Sequence, residues 1–242
     1  MAHIDFYFAT ISPFTYLSAG PLEAIAAKHG ATITYKPLDI MALFARTGGV
    51  PPKDRHPSRQ AYRLQDMDRR ARKLGRALNP KPAFWPTNPA PSSYALIAAQ
   101  KAGGGDLGKL LLSLTSAVWA GEKNIAEDDV VRAALTEAGF DPALADSGLL
   151  QGAEEYARNL EEAIADNVFG APFFVVDGKA HFWGRTGWKI WTCILPGSFE
   201  RLCKALGAGG GTCPAAALLA CVFRGLGWGR TGPGRSPERH RA

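Results

Sequence analysis

An α/β fold is predicted by three observations: a strand that runs straight into a helix at the start, a proline-led hairpin near residue 180, and helical periodicity between them. His3-Ile4-Asp5-Phe6-Tyr7-Phe8 alternates apolar and polar side chains and reads as the first strand. Ser12 then stands as an N-cap, with Pro13 at the first helical position and an apolar-periodic run to Gly30. Ala31 to Lys36 alternates as a second strand, and Ile40 to Arg46 is a short helix stopped by Gly48-Gly49-Val50-Pro51-Pro52. A polar helix is expected over 57–74, with Arg69, Arg70, Arg72 and Lys73 on a solvated face. Leu78 to Pro91 carries too many prolines for regular structure and reads as a loop, after which Ser92-Ser93 caps the next helix. Further helices are expected over 106–120, 126–138 and 149–167. Pro172 opens a strand that Asp177-Gly178 turns into His181-Phe182-Trp183. With the small Ala171 before it, Pro172 is a candidate cis peptide that leaves the neighbouring N–H and C=O available to an extended ligand; the alternative is an ordinary trans proline on an edge strand.

With 46% hydrophobic residues among 242, the chain can bury a sizeable core as one large domain or two intimate ones. The net charge of +6 is unevenly placed. Residues 185–242 carry nine basic and two acidic side chains, leaving 19 and 20 for residues 1–184, so the body is −1 and the tail +7. A nucleic-acid partner is therefore not expected of the body. The N-terminus has no basic segment followed by an apolar one, so no secretory signal is expected, and no apolar run reaches the ~20 residues of a membrane span. His, Cys, Asp and Glu show no metal-ligand spacing, so no metal is expected. All four cysteines, Cys193, Cys203, Cys213 and Cys221, follow Gly184. Dithiol exchange needs a thiolate on the protein, and residues 1–184 have none to offer.

Ser12 admits two readings: a plain cap, or a hydroxyl held where unpaired N–H groups favour an anion such as a thiolate. The ordered set Asp5-Phe6-Tyr7-Phe8, Ser12-Pro13-Phe14-Thr15-Tyr16-Leu17, Phe84-Trp85-Pro86-Thr87-Asn88-Pro89, Phe169-Gly170-Ala171-Pro172 and Phe182-Trp183-Gly184 resembles the 2-hydroxychromene-2-carboxylate isomerases. These are relatives of the kappa-class glutathione transferases and of DsbA-like proteins. The resemblance implies an α/β, thioredoxin-like (DsbA-like) domain from residues 1–42 and 168–200, split by a large all-helical insertion over 43–167. It implies glutathione as cofactor, with Ser12 in place of a reactive cysteine, hydrogen-bonded to the glutathione sulfur. Ala171 and Pro172 would meet the cysteinyl part of glutathione, and Gly184 and Arg59 would complete its site, with Arg59 on the glycyl or the substrate carboxylate. Lys53 would hold the substrate carboxylate, Asn88 with Pro89 a polar contact, and Phe84 and Trp85 an aromatic wall; each residue also has a bland reading as surface charge or packing. The implied activity is isomerisation of a small aromatic acid by reversible thiol addition, in a cytoplasmic, homodimeric enzyme of aromatic-compound catabolism. A kappa-like glutathione transferase and a non-catalytic thioredoxin-fold binding protein are the alternatives.

After Gly184 the pattern departs from the family. Relatives continue with a polar residue, Asp and Arg opening a last helix, whereas this chain reads Arg185-Thr186-Gly187-Trp188-Lys189-Ile190-Trp191. Back-translated as AGG ACC GGC TGG AAG ATC TGG with one C restored ahead, the segment spells Gln-Asp-Arg-Leu-Glu-Asp-Leu, the family's continuation. A one-base deletion after codon 184 is therefore expected, with 201–242 an atypical, disordered tail; a genuine lineage-specific tail is the alternative. The frame-restored protein is expected to bind glutathione more tightly and melt higher than the 242-residue chain, since it regains a carboxylate for the glutathione amine and a helix burying apolar surface at about 25 cal/mol per Å². Calorimetric titration of both forms measures it, and equal affinity and melting temperature would show the tail to be a functional replacement.

Overall fold

Alternation along β1 (His3–Phe8) and the aromatic and β-branched content of β3 (Phe173–Val176) set these segments side by side at the centre of a four-stranded sheet. The computed structural model describes residues 1–184. The expected tail from 201, the frame shift after 184, the remainder of the 168–200 segment and the four cysteines lie outside the described residues. The strand order is β2 (Thr32–Pro37), β1, β3, β4 (Ala180–Trp183), with β1 and β2 parallel and the other pairs antiparallel. The parallel pair needs a crossover, which α1 (Pro13–Tyr16) and α2 (Pro21–His29) supply. The β3–β4 hairpin turns through Asp177, Gly178 and Lys179: Asp177 and Gly178, with φ of 51° and 63°, are the pair of left-handed residues a type I′ turn demands, and the Lys179 N–H donates to the Val176 carbonyl at 3.0 Å.

Both faces of the sheet are covered, which is why Phe6, Tyr7 and Phe8 are all fully buried. Ile4, Phe6 and Phe8 share one core with Tyr35, Phe174, α2, α5 (Ala90–Ala102), α6 (Leu107–Trp119) and α7 (Asp128–Glu137). Phe6 stacks on Phe174 with centroids 4.8 Å apart. Tyr7, Phe173 and Val175 face the other way, onto Leu43 of α3 (Ile40–Thr47) and Ala163 of α9 (Leu149–Ala165). Each buried aromatic is worth roughly 1.5–3 kcal/mol, so β1 is the strand the rest condenses on. On the α9 side, Tyr7 donates to Asp166 at 2.7 Å, and Lys36 reaches Glu162 at 2.8 Å and Asp5 at 3.1 Å. Burial disfavours the charged Lys36, but its hydrogen bonds to Glu162 and Asp5 outweigh that and raise its pKa.

The insertion also carries α4 (Pro57–Leu74), at the expected bounds, a 3₁₀ turn over Pro52–Asp54, and α8 (Leu144–Ser147). Two local expectations are corrected. The run from Pro13 to Gly30 is two helices, because Pro21 has no N–H to donate and its ring excludes the carbonyl four residues back. Arg76 fills the break, donating to the carbonyls of Tyr16 and, at 2.6 Å, Ala19. Second, α5 starts at Ala90, with Pro91 inside its first turn, where a proline costs nothing. Ser92 and Ser93 are therefore buried inside the helix rather than capping it, and their hydroxyls donate back to the Pro89 carbonyl at 3.0 and 2.7 Å. Among the described residues no helix is long and apolar enough to cross a membrane.

Burial first, then Asp166 for Tyr7 and Glu23 for Tyr35, lifts both phenols well above the usual tyrosine range. Raised acids keep their protons in the folded state, so this stability is whole below the unfolded pKa of about 10 and is lost as pH rises beyond it, at up to about 1.4 kcal/mol per pH unit for each group. The melting temperature is expected to fall above about pH 10, and less steeply in Tyr35→Phe. That variant starts lower because it lacks the 2.8 Å bond to Glu23; parallel pH slopes in a melting series would refute the assignment.

Candidate functional site

β1 ends at Phe8, and the chain turns through Ala9–Ser12 before α1. The Ser12 N–H donates to the Ala9 carbonyl at 3.0 Å, its carbonyl accepts from Tyr16 N–H at 3.1 Å, and its Oγ accepts from Thr15 N–H at 3.4 Å. Ser12 is thus the N-cap of α1, in extended backbone, and half-buried. Because α1 is a single turn, attraction for an anion rests on local N–H groups rather than on a long helix dipole. Among the described residues the Phe14 N–H has no partner.

The second loop leaves the same end of the sheet. Tyr7 pairs with Phe173 in the β1–β3 ladder, so Ala171 and Pro172 come off β3 where the Ser12 turn comes off β1. The Ala171–Pro172 peptide is cis. The Pro172 carbonyl accepts from Gly184 N–H at 2.9 Å, while Ala171, half-buried, makes no hydrogen bond among the described residues. A Cβ on Gly170 would lie 2.6 Å from the Trp183 indole nitrogen; glycine there lets the indole approach the backbone just ahead of the cis bond. Trp183 also meets Phe169, with ring centroids 5.1 Å apart.

The insertion supplies the remaining walls. Trp85 donates its indole N–H to the Ile11 carbonyl at 3.1 Å and rests on Trp119, with centroids 5.8 Å apart. Thr10 meets Ser92 Oγ at 2.9 Å and donates to the Pro89 carbonyl at 3.4 Å. Trp85 and Pro89 are therefore joined directly to the turn that carries Ser12. Phe84 is 45% exposed, and Asn88 is exposed with its Oδ1 accepting from Ala90 N–H at 3.0 Å at the start of α5. The Trp85–Pro86 peptide is also cis. Lys53, in the 3₁₀ turn, and Arg59, in the first turn of α4, are exposed, and among the described residues no hydrogen bond or ion pair ties either to Ser12.

Two contributors escape a reading of the sequence. Thr10 looks like any turn residue until its hydroxyl is seen between β1 and α5. Arg63 lies with its guanidinium over the Trp85 ring, 5.5 Å from the centroid, half-buried. Its signal was the spacing Arg55, Arg59, Arg63, which is indistinguishable from the solvated arginines later on α4. Burial, then the charge of Arg55, lowers the Arg63 pKa, and burial followed by Arg59 does the same to Arg55.

Trp85→Phe is expected to keep the contact with Trp119 but orphan the Ile11 carbonyl, at a cost of roughly 1–3 kcal/mol. Urea unfolding and hydrogen exchange at the Ser12 N–H measure it; an unchanged midpoint and unchanged exchange would show the bond to be dispensable.

Residues 3–190 match the family described as DSBA-like thioredoxin domain. The 2-hydroxychromene-2-carboxylate isomerase of Sphingobium xenophagum is 29% identical over 187 residues, covering 75% of this chain and 92% of the relative. Glutathione S-transferase kappa 1 of Caenorhabditis elegans is 32% identical over 85 residues, 35% of this chain and 37% of the relative. Among solved structures, a 2-hydroxychromene-2-carboxylate isomerase superposes with a TM-score of 0.67 at 23% identity, over 86% of this chain and all of that one. The expected thioredoxin-like fold with its helical insertion, and the resemblance to these isomerases, both stand.

Proposed function

The chain belongs to the DSBA-like thioredoxin domain family, and on that premise we propose that it is a glutathione-dependent isomerase of 2-hydroxychromene-2-carboxylate-type aromatic acids. One observation carries the reading: Ser12 stands at the end of β1, beside the cis-Pro172 loop, in a body of 184 residues without a cysteine. Relatives named as isomerases and as a kappa-class glutathione transferase support it.

The donor set fits glutathione. Ala171 has an N–H and C=O that make no hydrogen bond among the described residues and can meet an extended peptide, Ser12 has a hydroxyl proton to give, and Arg59 is a cation for a carboxylate. Glutathione supplies a sulfur nucleophile that adds reversibly to a conjugated carbon, so that the former double bond turns as a single bond before the sulfur leaves. The chain's own task is to hold that sulfur as an anion and to hold the acid still. Ser12 donates its hydroxyl proton toward the sulfur; its own pKa is far too high for it to act as an anion, so it stabilises rather than attacks. Pro172 and Gly184 set the peptide's lie against β3. Lys53 receives a carboxylate, and Phe84, Trp85, Asn88 and Pro89 form the wall for the ring. We place the enzyme in the cytoplasm, as a homodimer, in the breakdown of aromatic compounds.

Ser12→Ala is expected to slow isomerisation of 2-hydroxychromene-2-carboxylate by roughly 10- to 150-fold, the equivalent of one hydrogen bond to a charged group at about 1.5–3 kcal/mol. Loss of the cap costs only about 1 kcal/mol, so circular dichroism should report an intact fold. Full activity in the variant would reduce Ser12 to a cap. Glutathione recovered unconsumed after turnover distinguishes an isomerase from a transferase.

A further inference from the structure

We propose that Arg63, lying over the Trp85 indole and flanked by Arg55, is a carboxylate-binding site beside the Ser12 turn. The argument begins with an excess of charge. Arg55, Arg59 and Arg63 follow one another at intervals of four, so on α4 Arg59 and Arg63 share a face, and like charges so placed repel. Later on the same helix Arg70 pairs with Asp66 at 2.5 Å and Arg72 with Asp68 at 3.0 Å, while the exposed Arg69 reaches the Gln65 side-chain oxygen at 3.4 Å. Among the described residues neither Arg59 nor Arg63 has a carboxylate partner, and Arg55 gives its Nε–H to the Val50 carbonyl at 2.8 Å.

Arg55 and Arg63 are half-buried and Arg59 is exposed, and of the three it is Arg63 that lies against an aromatic ring. Its contact with Trp85 engages the charge against the ring face and leaves the guanidinium N–H donors unspent, since none makes a hydrogen bond among the described residues. A half-buried guanidinium with unspent donors and a second cation nearby is relieved by an incoming anion, and the planar fork suits a carboxylate. Burial first, and then the charge of a neighbouring arginine, lowers the pKa of both Arg55 and Arg63. Position does the rest. The Trp85 indole N–H holds the Ile11 carbonyl, the residue before Ser12, so an anion at Arg63 sits one side chain away from the proposed sulfur site. Arg63 thus joins chemistry to specificity, whereas the exposed Lys53 and Arg59 sit further out on the same segment.

Two sources supply such a carboxylate, the aromatic acid and the glycyl end of glutathione, and this identification alone rests on the proposed function. The test is equilibrium binding without turnover, with trans-2-hydroxycinnamate and its methyl ester as one pair of probes and glutathione and its glycyl ethyl ester as the other. The wild type is expected to prefer one free acid over its ester at least about tenfold, and Arg63→Met, which keeps an apolar stem against Trp85, to abolish that preference while binding the ester as before. A change in the cinnamate arm names the aromatic acid as ligand and a change in the glutathione arm names the peptide. Equal affinity of wild type and Arg63→Met in both arms overturns the site. So does a wild type that shows no acid preference, which decides the matter even if the variant does not fold. Since no arm needs isomerisation, failure of the isomerase reading and failure of the anion site are read separately.

Discussion

The turn from Ala9 to Ser12 is held from outside the sheet, and the rest of the site depends on that. β1 brings the chain to the turn, but the bonds that fix it come from the insertion: Trp85 to the Ile11 carbonyl, and Thr10 to Ser92 and the Pro89 carbonyl. A free turn at the end of a strand would fray and carry Ser12 with it. Here the tie to Trp85 is backed by Trp119, which is fully buried with Val118, Tyr16 and Leu17 in a core that also takes Met67 and Ala71 from α4. The helices of the insertion thus also set the position of the turn that carries Ser12.

The same coupling explains why both faces of β1 are aromatic. Phe6 and Phe8 belong to the core shared with α5, α6 and α7, and Tyr7 to the core shared with α3 and α9. A central strand gripped on both faces cannot slip in register without exposing one set to water, so the far end of β1 and the start of β3 stay opposed. That opposition keeps the Ser12 turn and the Ala171–Pro172 loop at one end of the sheet.

What was legible in the sequence follows from how local its cause is. The alternation of β1, the Asp177-Gly178 hairpin and the bounds of α4 depend on neighbours within a few residues, and each stands as expected. The break at Pro21 is equally local, but apolar periodicity continues across it and masks it; the Arg76 side chain that completes the break comes from 55 residues away. Ser92 and Ser93 looked like caps because serine before an apolar run normally is one, yet Pro91 in the first turn pushes the start upstream and turns both hydroxyls inward. For the site, Ser12 and Pro172 carried strong local signals. Arg63 and Thr10 carried none, because their roles are created by tertiary neighbours, Trp85 for one and Ser92 for the other.

The two halves of the molecule therefore divide the work by the kind of constraint each can bear. In the proposed function Ser12 and Ala171 offer a thiol-bearing peptide a hydroxyl and a stretch of backbone that makes no hydrogen bond among the described residues, on a sheet whose register leaves little room for variation. The insertion offers side chains on helix surfaces, where charge can change at small cost in stability. Arg63 occupies such a surface, yet it lies over the Trp85 indole that bonds the Ser12 turn. A change of charge there would alter which acid is held without disturbing β1, while a change at Trp85 would disturb both. Under the proposed function, substrate choice is for this reason expected to vary through α4 and the loop before α5, and the proposed thiol chemistry to stay with the sheet.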